Sequence, residues 1–506
     1  MNAIDPHTDI IRFVSTRGAT PPTAIDDALI AGLAPDGGLY VPETIPTLDT
    51  RTVETRIGAG TLAESAAAVL APYFAESRLR EALPALCARA YDFDAPLRAM
   101  RSDGAHGDDA SSRLLKNDLP DRFSSRESGA CPDSLATNQA PTRSLRRRSH
   151  PWLRQQAVFQ QPASGDFLLE LFHGPTAAFK DYAARFLAEA LGALRADDAP
   201  TTTILVATSG DTGAAVAGAF HRRPGFEVVI LYPDGRVSPR QAHGLECWGD
   251  NVRTFRVDGT FDDCQRMAKT ALADTDLRGA RSLTSANSIS LGRLLPQVAY
   301  YAHTAAAFRR AHGEALNLIV PTGNLGNAAA AFLAKRMGLP IGEIVLATNA
   351  NDVLPRYFDG GDYAPEATKA TLANAMDVGA PSNFERLRHW HRDDAALRGA
   401  LRALSVDDAT IRAVIADAPA RHGIVACPHT ACGLHALHRI RDAGDTRPWA
   451  VVATAHPAKF ETIVEPLVGH AVPPPPALAE CLARPAQGEA LAASDAALRA
   501  RLIVDD

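Results

Sequence analysis

One lysine, Lys180, lies in the run HGPTAAFKD, which joins a predicted strand to a predicted helix. Pro175 and Thr176 are typical of a helix start, so Lys180 falls in the first turns, beside apolar Phe179. A lysine in that position can be partly desolvated, which lowers its pKa and favours the free amine that a Schiff base needs. Taken alone, the run is more typical of a lysine on a solvated helix face.

Two further runs each follow a predicted strand and open a helix. In ATSGDTGAA, residues 209–213 offer backbone N–H groups and hydroxyls at a helix N-terminus, which is a natural anion site. In PTGNLGNAAAAF, Gly323 and Gly326 let the backbone approach an anion closely. The second run is neither a P-loop nor a dinucleotide fingerprint. An ordinary glycine-containing turn is the alternative for both, and a phosphate cradle is favoured for the second.

Two later runs add polar groups that can contact a ligand. In SANSISLGRLLPQ, Asn287, Ser288 and Arg293 can clamp a second phosphate or a carboxylate, the arginine by a bidentate contact. The alternative is Asn287 capping a helix with Arg293 on its surface. In ATAHPAKF, at the end of a late strand, Thr454 can hydrogen-bond a ring nitrogen, and we expect His456 to be structural.

Cys427, His429, Cys432 and His435 lie close together and suggest a metal site at first sight. Their spacing fits no common zinc pattern, and buried small side chains are the favoured interpretation of the cysteines. The seven cysteines of the chain are odd in number, are widely spaced and include no C-x-x-C. We therefore predict no metal, no structural zinc and no disulfide framework.

The elements that must position these residues alternate between strands and helices from about residue 164 onward. Buried strands are predicted at TTTILVAT, EVVILYP, NLIVPTG, EIVLATN and WAVVATAHP. This alternation predicts an α/β fold with mostly parallel sheets covered by helices on both faces. Ligands in such folds bind beyond the carboxyl ends of the strands, where the small polar residues of this chain cluster.

The chain has 506 residues, which is too long for one compact core and predicts two or three domains. We expect an N-terminal subdomain at 1–100, an insertion at 101–161, and α/β domains at 162–320 and 321–506. The insertion holds nine Arg and nine Ser but one Val and no Ile, so too few apolar groups exist to offset chain entropy. We predict that it is disordered, and that it is an exposed insertion rather than a nucleic-acid-binding arm.

The net charge of −6 gives no electrostatic reason to expect nucleic acid or an anionic membrane as a partner. No apolar run reaches the ~18 residues that a membrane helix needs. The N-terminal residues include Asp5 and Asp9 and lack an uninterrupted apolar stretch, so they do not resemble a secretory signal. We expect a cytoplasmic protein with no membrane or nucleic-acid partner.

The runs HGPTAAFKD, TSGDTGAA, PTGNLGN and TAHPAKF occur in the order found in threonine synthases, and the early STRG and PDGGLYVP are also similar to that family. The chain resembles the longer bacterial and fungal type over nearly its whole length, except about 101–161. The resemblance implies pyridoxal 5'-phosphate (PLP) as cofactor and PLP fold type II. This fold, like that of tryptophan synthase β, has two parallel-sheet domains with helices on both faces plus an N-terminal subdomain.

The resemblance also implies the reaction and its residues. O-phospho-L-homoserine and water would give L-threonine and phosphate, with Lys180 as the PLP lysine and Thr454 facing the pyridine nitrogen. The implied cofactor phosphate loop is Gly323, Asn324, Leu325, Gly326 and Asn327. The implied substrate-binding residues are Ser209, Gly210, Asp211, Thr212, Asn287, Ser288 and Arg293. Leu325 stands where many relatives have Phe, and we expect no loss from this change. The long-type relatives suggest a monomer, with a dimer as the alternative.

Other enzymes of fold type II remain alternatives, namely threonine or serine dehydratases and β-replacement synthases. They bind the cofactor in the same way but need no second anion site. Asn287, Ser288 and Arg293 therefore discriminate a threonine synthase from these enzymes. A non-catalytic PLP- or phosphate-binding protein, and a chain inactivated by its insertion, are the remaining hypotheses.

Overall fold

The computed structural model describes residues 10–101, 165–391 and 393–503, without the side chains of residues 278–280. The predicted insertion lies almost entirely outside the described residues, so its disorder stays a prediction.

The N-terminal segment is mostly helical, with two short strands paired antiparallel. Its elements are β1 (Phe13–Ser15), α1 (Ile25–Ala31), β2 (Tyr40–Pro42), α2 (Thr50–Thr55), α3 (Leu62–Leu70), a 3-10 turn (Ala71–Phe74), α4 (Leu83–Ala90) and β3 (Leu97–Ala99). The sequence explains the start of α3, because the Thr61 hydroxyl accepts a hydrogen bond from the Glu64 N–H and the Glu64 carboxylate accepts one from the Thr61 N–H.

The next part of the chain alternates strands and helices. Its elements are β4 (Asp166–Glu170), α5 (Lys180–Leu194), β5 (Thr202–Ala207), α6 (Asp211–Phe220), β6 (Phe226–Pro233), α7 (Pro239–Glu246), β7 (Val252–Asp258), α8 (Phe261–Ala273), α9 (Thr275–Ala280), β8 (Ser282–Thr284), α10 (Leu291–Leu294), a 3-10 turn (Leu295–Gln297) and α11 (Val298–His312).

The last part continues the alternation. Its elements are β9 (Leu316–Pro321), α12 (Gly326–Arg336), β10 (Ile341–Thr348), α13 (Val353–Phe358), a 3-10 turn (Asn374–Met376), α14 (Phe384–Trp390), α15 (Asp394–Ala400), β11 (Arg402–Ser405), α16 (Asp408–His422), α17 (Pro428–Asp442), β12 (Trp449–Ala453), a 3-10 turn (Pro457–Phe460), α18 (Glu461–Val468), α19 (Pro476–Leu482), β13 (Glu489–Ala492) and α20 (Asp495–Ile503).

Within the described residues, these strands form two parallel sheets. The large sheet has the order β11-β10-β9-β12-β4-β3, in which only the edge strand β3 runs antiparallel. The small sheet has the order β13-β7-β6-β5-β8 and is parallel throughout. Every residue of the central strand β12 is buried, as expected for a strand covered on both faces.

The sheets do not follow the predicted boundary at 320/321. Strand β4, from the predicted domain 162–320, pairs with β12 of the large sheet, and the C-terminal β13 pairs with β7 of the small sheet. A linear cut cannot represent this topology, because a parallel sheet accepts strands that are distant in sequence once crossover helices return the chain to it. The strand pairings show that each sheet takes strands from both sides of the boundary, and the division into domains itself stays a prediction.

Candidate active site

All of the predicted site residues except Gly210 line one cavity of about 390 Å³. A larger and more open groove, of about 1530 Å³, borders this cavity and shares Ser285 and Ile289 with it. None of the predicted residues lines that groove. The candidate site is therefore identified by the position of the Lys180 amine and not by the volume of a cavity.

The sheet order explains why distant motifs meet in this cavity. In the large sheet β9, β12 and β4 are neighbours, so the segments that follow them bring together the Gly323 loop, Thr454 and Lys180. In the small sheet β5 and β8 are neighbours, which brings the Ser209 turn next to Asn287. Because the strands within each sheet run parallel, these segments leave from a common edge.

Lys180 is the first residue of α5 and is half-buried at the cavity. The chain just before it pairs with the segment after β12, since the Phe179 N–H donates to the Thr454 carbonyl over 2.9 Å and a bridge joins Ala178 to Ala455. The Lys180 Nζ lies 4.5 Å from the centre of the Phe179 ring. Burial lowers the pKa of Lys180 to about 8, so an appreciable fraction of free amine exists near neutral pH.

A second lysine, Lys459, lies behind the cavity and was not predicted to belong to the site. Its Nζ forms an ion pair with Asp211 Oδ1 over 2.7 Å, and both side chains are 3% exposed. Burial opposes ionisation of Asp211, but the charges of Lys459 and Lys180 outweigh it and hold the pKa of that carboxyl below its usual range. The only sequence signal for Lys459 was its place in the run ATAHPAKF.

The turn between β5 and α6 is shaped by its own side chains. The Thr208 hydroxyl accepts hydrogen bonds from the N–H groups of Gly210 and Gly213, each over 3.0 Å. Gly210 has φ +134°, which L side chains rarely adopt, and an added Cβ would lie 2.8 Å from Gln241 Nε2. Gly210 therefore serves the geometry of the turn, while Ser209, Asp211 and Thr212 face the cavity.

The loop from Gly323 to Asn327 opens α12 in a strained conformation. Leu325, the residue before the helix, has φ +64° and is 2% exposed. A Cβ on Gly323 would lie 2.6 Å from the Met376 Cα, so packing against the neighbouring backbone requires glycine there. Asn324 Nδ2 donates to Ser288 Oγ over 2.7 Å, and its carbonyl accepts from Asn383 Nδ2 over 2.8 Å. The loop is thus held in place by its neighbours.

At the end of this loop, one polar atom of Asn327 has no partner. Asn327 Oδ1 accepts from the hydroxyls of Tyr300 and Tyr301, over 2.6 and 2.8 Å. Asn327 Nδ2 is buried and has no hydrogen-bond partner among the described residues. A buried donor without a partner is costly, and a ligand acceptor in the cavity would satisfy it.

Arg293 contributes a buried positive charge to the cavity. The side chain is 3% exposed, its Nη1 donates to the Ala286 carbonyl over 2.6 Å, and its Nε has no partner among the described residues. Those residues place no carboxylate within ion-pair distance of it. Burial lowers its pKa to about 10, so it remains a cation at neutral pH. The neighbouring Asn287 Oδ1 is also buried without a partner.

A fully buried arginine, Arg386, connects the N-terminal segment to this side of the cavity. Its guanidinium donates to the carbonyls of Tyr40 and Ile289, over 3.1 and 2.7 Å, and to Asn383 Oδ1. Asn383 in turn donates to the carbonyls of Asn324 and Ser288, over 2.8 and 3.3 Å. No sequence motif marks this link, because its partners are mostly backbone carbonyls.

Segment 366–382 lines the cavity and was also not predicted. The Ala375 N–H donates to His429 Nε2 over 3.2 Å. Burial lowers the pKa of His429 to about 4, which keeps that acceptor free of a proton at neutral pH. No glycine motif or charge cluster marks the segment, so its role follows from tertiary contacts alone.

The residues that suggested a metal have other surroundings. Cys427 caps α17 by accepting from the Thr430 N–H, and Cys432 is buried within that helix. Within the described residues, no group of three or more His, Cys, Asp or Glu side chains could hold a metal ion. Over the same residues, no helix is long and apolar enough to cross a membrane.

The residues present fit PLP. The cavity offers one amine of lowered pKa at Lys180, a helix N-terminus beside Gly326, and the unpartnered Asn327 Nδ2. An aldehyde can form a Schiff base with the first, and the other two are suited to bind a phosphate. Arg293 lies apart in sequence from all three and supplies a further cation for an anionic ligand.

Comparison with known families agrees with this geometry. The family of pyridoxal-phosphate dependent enzymes matches residues 159–458. A threonine synthase N-terminal family matches residues 12–91, and a threonine synthase C-terminal family matches residues 430–503. The three matches together cover residues 12–91 and 159–503.

Individual relatives extend the comparison. The chain is 43% identical to threonine synthase of Escherichia coli over 352 residues, covering 68% of this chain and 81% of that protein. It is 32% identical to threonine synthase of Pseudomonas aeruginosa over 501 residues, covering 94% of each. The crystal structure of PLP-bound threonine synthase from Brucella melitensis superposes with a TM-score of 0.78 and 32% identity, covering 97% of this chain and 99% of that one. The predicted fold type and cofactor are confirmed, and the chain belongs to the threonine synthase family of PLP-dependent enzymes.

Proposed function

We propose that this chain converts O-phospho-L-homoserine and water into L-threonine and phosphate. The observation that carries the proposal is Arg293, a buried cation with an unpartnered Nε in the same cavity as Lys180. A buried charge without a partner is expensive, and a substrate phosphate would pair with it. Dehydratases need no such second anion site.

Residues that follow strands of the large sheet would bind the cofactor. Lys180 would hold PLP, the loop Gly323–Asn327 would bind its phosphate, and Thr454 would contact its ring nitrogen. When bound, PLP supplies an electron sink that stabilises negative charge on the substrate carbon atoms. The remaining chemistry is positioning and proton transfer by the side chains of this chain.

The substrate side falls to residues of the small sheet and α10. Arg293, Ser288 and Asn287 would bind the substrate phosphate, and Ser209, Asp211 and Thr212 would form the opposite wall. The guanidinium of Arg293 and the serine and threonine hydroxyls among these groups are preorganised donors, which stabilise the charge that grows on a leaving phosphate. The backbone of Gly210 would keep that wall in shape.

Lys180 is the group suited to move protons. Its pKa of about 8 leaves an amine that can take a proton from the substrate Cα and return it further along the chain. Phosphate leaves Cγ and a proton leaves Cβ, after which the water oxygen adds at Cβ, Cγ is protonated to a methyl group and Cα regains a proton. The two protons removed, from Cα and Cβ, are thus matched by two protons returned, to Cγ and Cα. The water proton that remains is released with the products.

The test is phosphate release from purified, PLP-loaded protein given O-phospho-L-homoserine, with L-threonine measured in the same samples. We expect phosphate and threonine in equal amounts, and slow or no reaction of free L-serine and L-threonine. Rapid formation of 2-oxo acids from serine or threonine, without phosphate release from phosphohomoserine, would favour a dehydratase instead.

The assembly and location of the protein are separate proposals. A monomer, with a dimer as the alternative, and a cytoplasmic location stay predictions from the sequence. Size-exclusion chromatography with light scattering measures the first, and fractionation of the source cells measures the second.

A further inference from the structure

Lys459 lies outside the cavity but close to its chemistry. It lies in the 3-10 turn that follows Thr454, and its Nζ also donates to the Thr176 carbonyl over 2.8 Å. Thr176 lies in the connection between β4 and α5, shortly before Lys180, which begins α5. Lys459 therefore links the chain around Lys180 to Asp211 at the start of α6.

The charges around Lys180 come from several elements. Asp211 at the start of α6 and Asp181 in α5 favour its ammonium form, while Lys459 and Arg293 oppose it, after burial as the largest effect. The remaining neighbour is His429 in α17, which burial keeps neutral. Asp211 is the strongest attraction in this set.

Although Asp211 attracts it, Lys180 forms no ion pair among the described residues. The Asp211 carboxylate is engaged elsewhere, since Oδ1 contacts Lys459 Nζ over 2.7 Å and accepts from Gln241 Nε2 over 3.2 Å. Gln241 also accepts from Asn374 Nδ2 over 3.0 Å. The carboxylate thus has partners other than the reactive lysine, and neither of them, Lys459 or Gln241, lines the cavity.

We propose that Lys459 is a positioning residue, which holds the Asp211 carboxylate, fixes the turn between β5 and α6, and so leaves Lys180 unpaired and available to PLP and substrate. The inference rests on the proposed role of Lys180. Lys459 does not line the cavity, so it acts through Asp211 and not by touching ligands.

Removal of Lys459 should raise the pKa of Lys180. In Lys459→Met, a repelling cation is lost and the buried Asp211 carboxylate keeps only Lys180 as a nearby cation. Both changes favour the ammonium form of Lys180. An unneutralised carboxylate within reach of a lysine shifts its pKa upward by about one unit or more.

The experiment measures the ionisation of Lys180 in the full-length apoprotein. A limiting amount of 1-fluoro-2,4-dinitrobenzene, which arylates only unprotonated amines, is added at a series of pH values, and mass spectrometry quantifies labelling of the Lys180 peptide. We expect Lys459→Met to raise the pH midpoint by about one unit or more. Lys459→Arg, which keeps the charge, should restore a midpoint near that of the wild type.

Three further variants keep the result interpretable. Asp211→Asn leaves Lys459 charged and removes the attraction, so the Lys180 midpoint should fall. The double variant Lys459→Met, Asp211→Asn should lose the rise seen in Lys459→Met. Lys335→Met removes a surface lysine that donates to the Gly342 carbonyl, and it should change nothing.

An unchanged or lower Lys180 midpoint in folded Lys459→Met would overturn the proposal. If that variant does not fold, the Asp211→Asn midpoint decides, and no fall there overturns the proposal equally. Labelling of the apoprotein requires neither PLP nor phosphohomoserine. A failure of this inference is therefore distinct from a failure of the proposed reaction, which phosphate release tests.

Discussion

Two regions of the cavity are suited to bind anions. They differ in how far hydrogen bonds within the chain already satisfy their polar groups. In the loop Gly323–Asn327, the side chain and carbonyl of Asn324 are hydrogen-bonded to Ser288 and Asn383, and Gly323 packs against the Met376 backbone. Beside Arg293, by contrast, the arginine Nε, which is a donor of a buried cation, has no hydrogen-bond partner in the described residues. The first region has its backbone fixed before its ligand arrives and leaves one neutral donor, Asn327 Nδ2, without a partner, whereas the second leaves a donor of a buried cation without one.

This difference fits a resident group on one side and a transient one on the other. A cofactor that stays bound through many turnovers needs a fixed cradle, which the chain can complete with its own hydrogen bonds. A phosphate that enters and leaves needs groups whose burial cost is relieved only while it is bound. The contrast predicts different costs for changes in the two regions.

The largest effect should come from the residue that serves both regions. Lys180→Ala removes the cofactor attachment and the proton-transfer group together, so phosphate release should fall more than about a hundredfold. Steady-state assays with O-phospho-L-homoserine measure this, with Lys335→Ala as the matched control. Retention of more than about a hundredth of the wild-type rate would remove Lys180 from its assigned role.

The region around Arg293 should be the more sensitive to the loss of a hydrogen-bond donor. Arg293→Lys keeps the charge but loses the planar fork of donors, so kcat/KM for phosphohomoserine should fall about a hundredfold. The PLP absorbance spectrum should stay close to that of the wild type. Arg266→Lys on the exposed face of α8, where the arginine pairs with Asp495, is the control. A weakened affinity for PLP together with an unchanged kcat/KM in PLP-saturated protein would reverse the assignment of the two regions.

The stability of the loop Gly323–Asn327 should be the more sensitive to changes in packing. Gly323→Ala places a Cβ 2.6 Å from the Met376 Cα, so it should lower the free energy of unfolding of the apoprotein by about 1–3 kcal/mol. Gly326→Ala is the matched control, because its Cβ would find only ordinary contacts, the nearest 3.6 Å away at Asn383 Nδ2. Denaturant titration of both variants measures the contrast. Equal stabilities would mean that the Gly323 loop is not fixed by packing.

The last effect depends on pH and concerns segment 366–382, which packs against that loop at Met376. Burial lowers the pKa of His429 to about 4, whereas in the unfolded chain it is near 6.5. Its contribution to stability is therefore complete above about pH 6.5 and is lost as the pH falls towards 4, by at most about 3 kcal/mol.

His429→Gln should reduce this loss of stability at acidic pH. Urea titrations at pH 7, 6, 5 and 4 test this, with a substitution of the exposed His470 as control. A wild-type pH profile in His429→Gln would show that His429 does not contribute this titration.

Most of the site residues could be predicted from short local sequence motifs. Lys180, the Gly323 loop and Thr454 each follow a strand in a short run of distinctive residues, so spacing and resemblance together located them. Gly210 was also found in this way, although its φ of +134° shows that it shapes the turn and does not line the cavity. What the sequence determined by itself was the family, the fold type, the cofactor and the candidate lysine.

Only the tertiary structure decided which groups are left unsatisfied and which are neutralised. The ion pair of Lys459 with Asp211, the link through Arg386 and the contact of His429 with segment 366–382 join positions 248, 346 and 54 residues apart. A sequence motif is local, whereas burial and electrostatic pairing depend on every element that packs around a group. For the same reason the two sheets exchange strands across the predicted boundary, because hydrogen bonding between parallel strands follows position in space and not order along the chain.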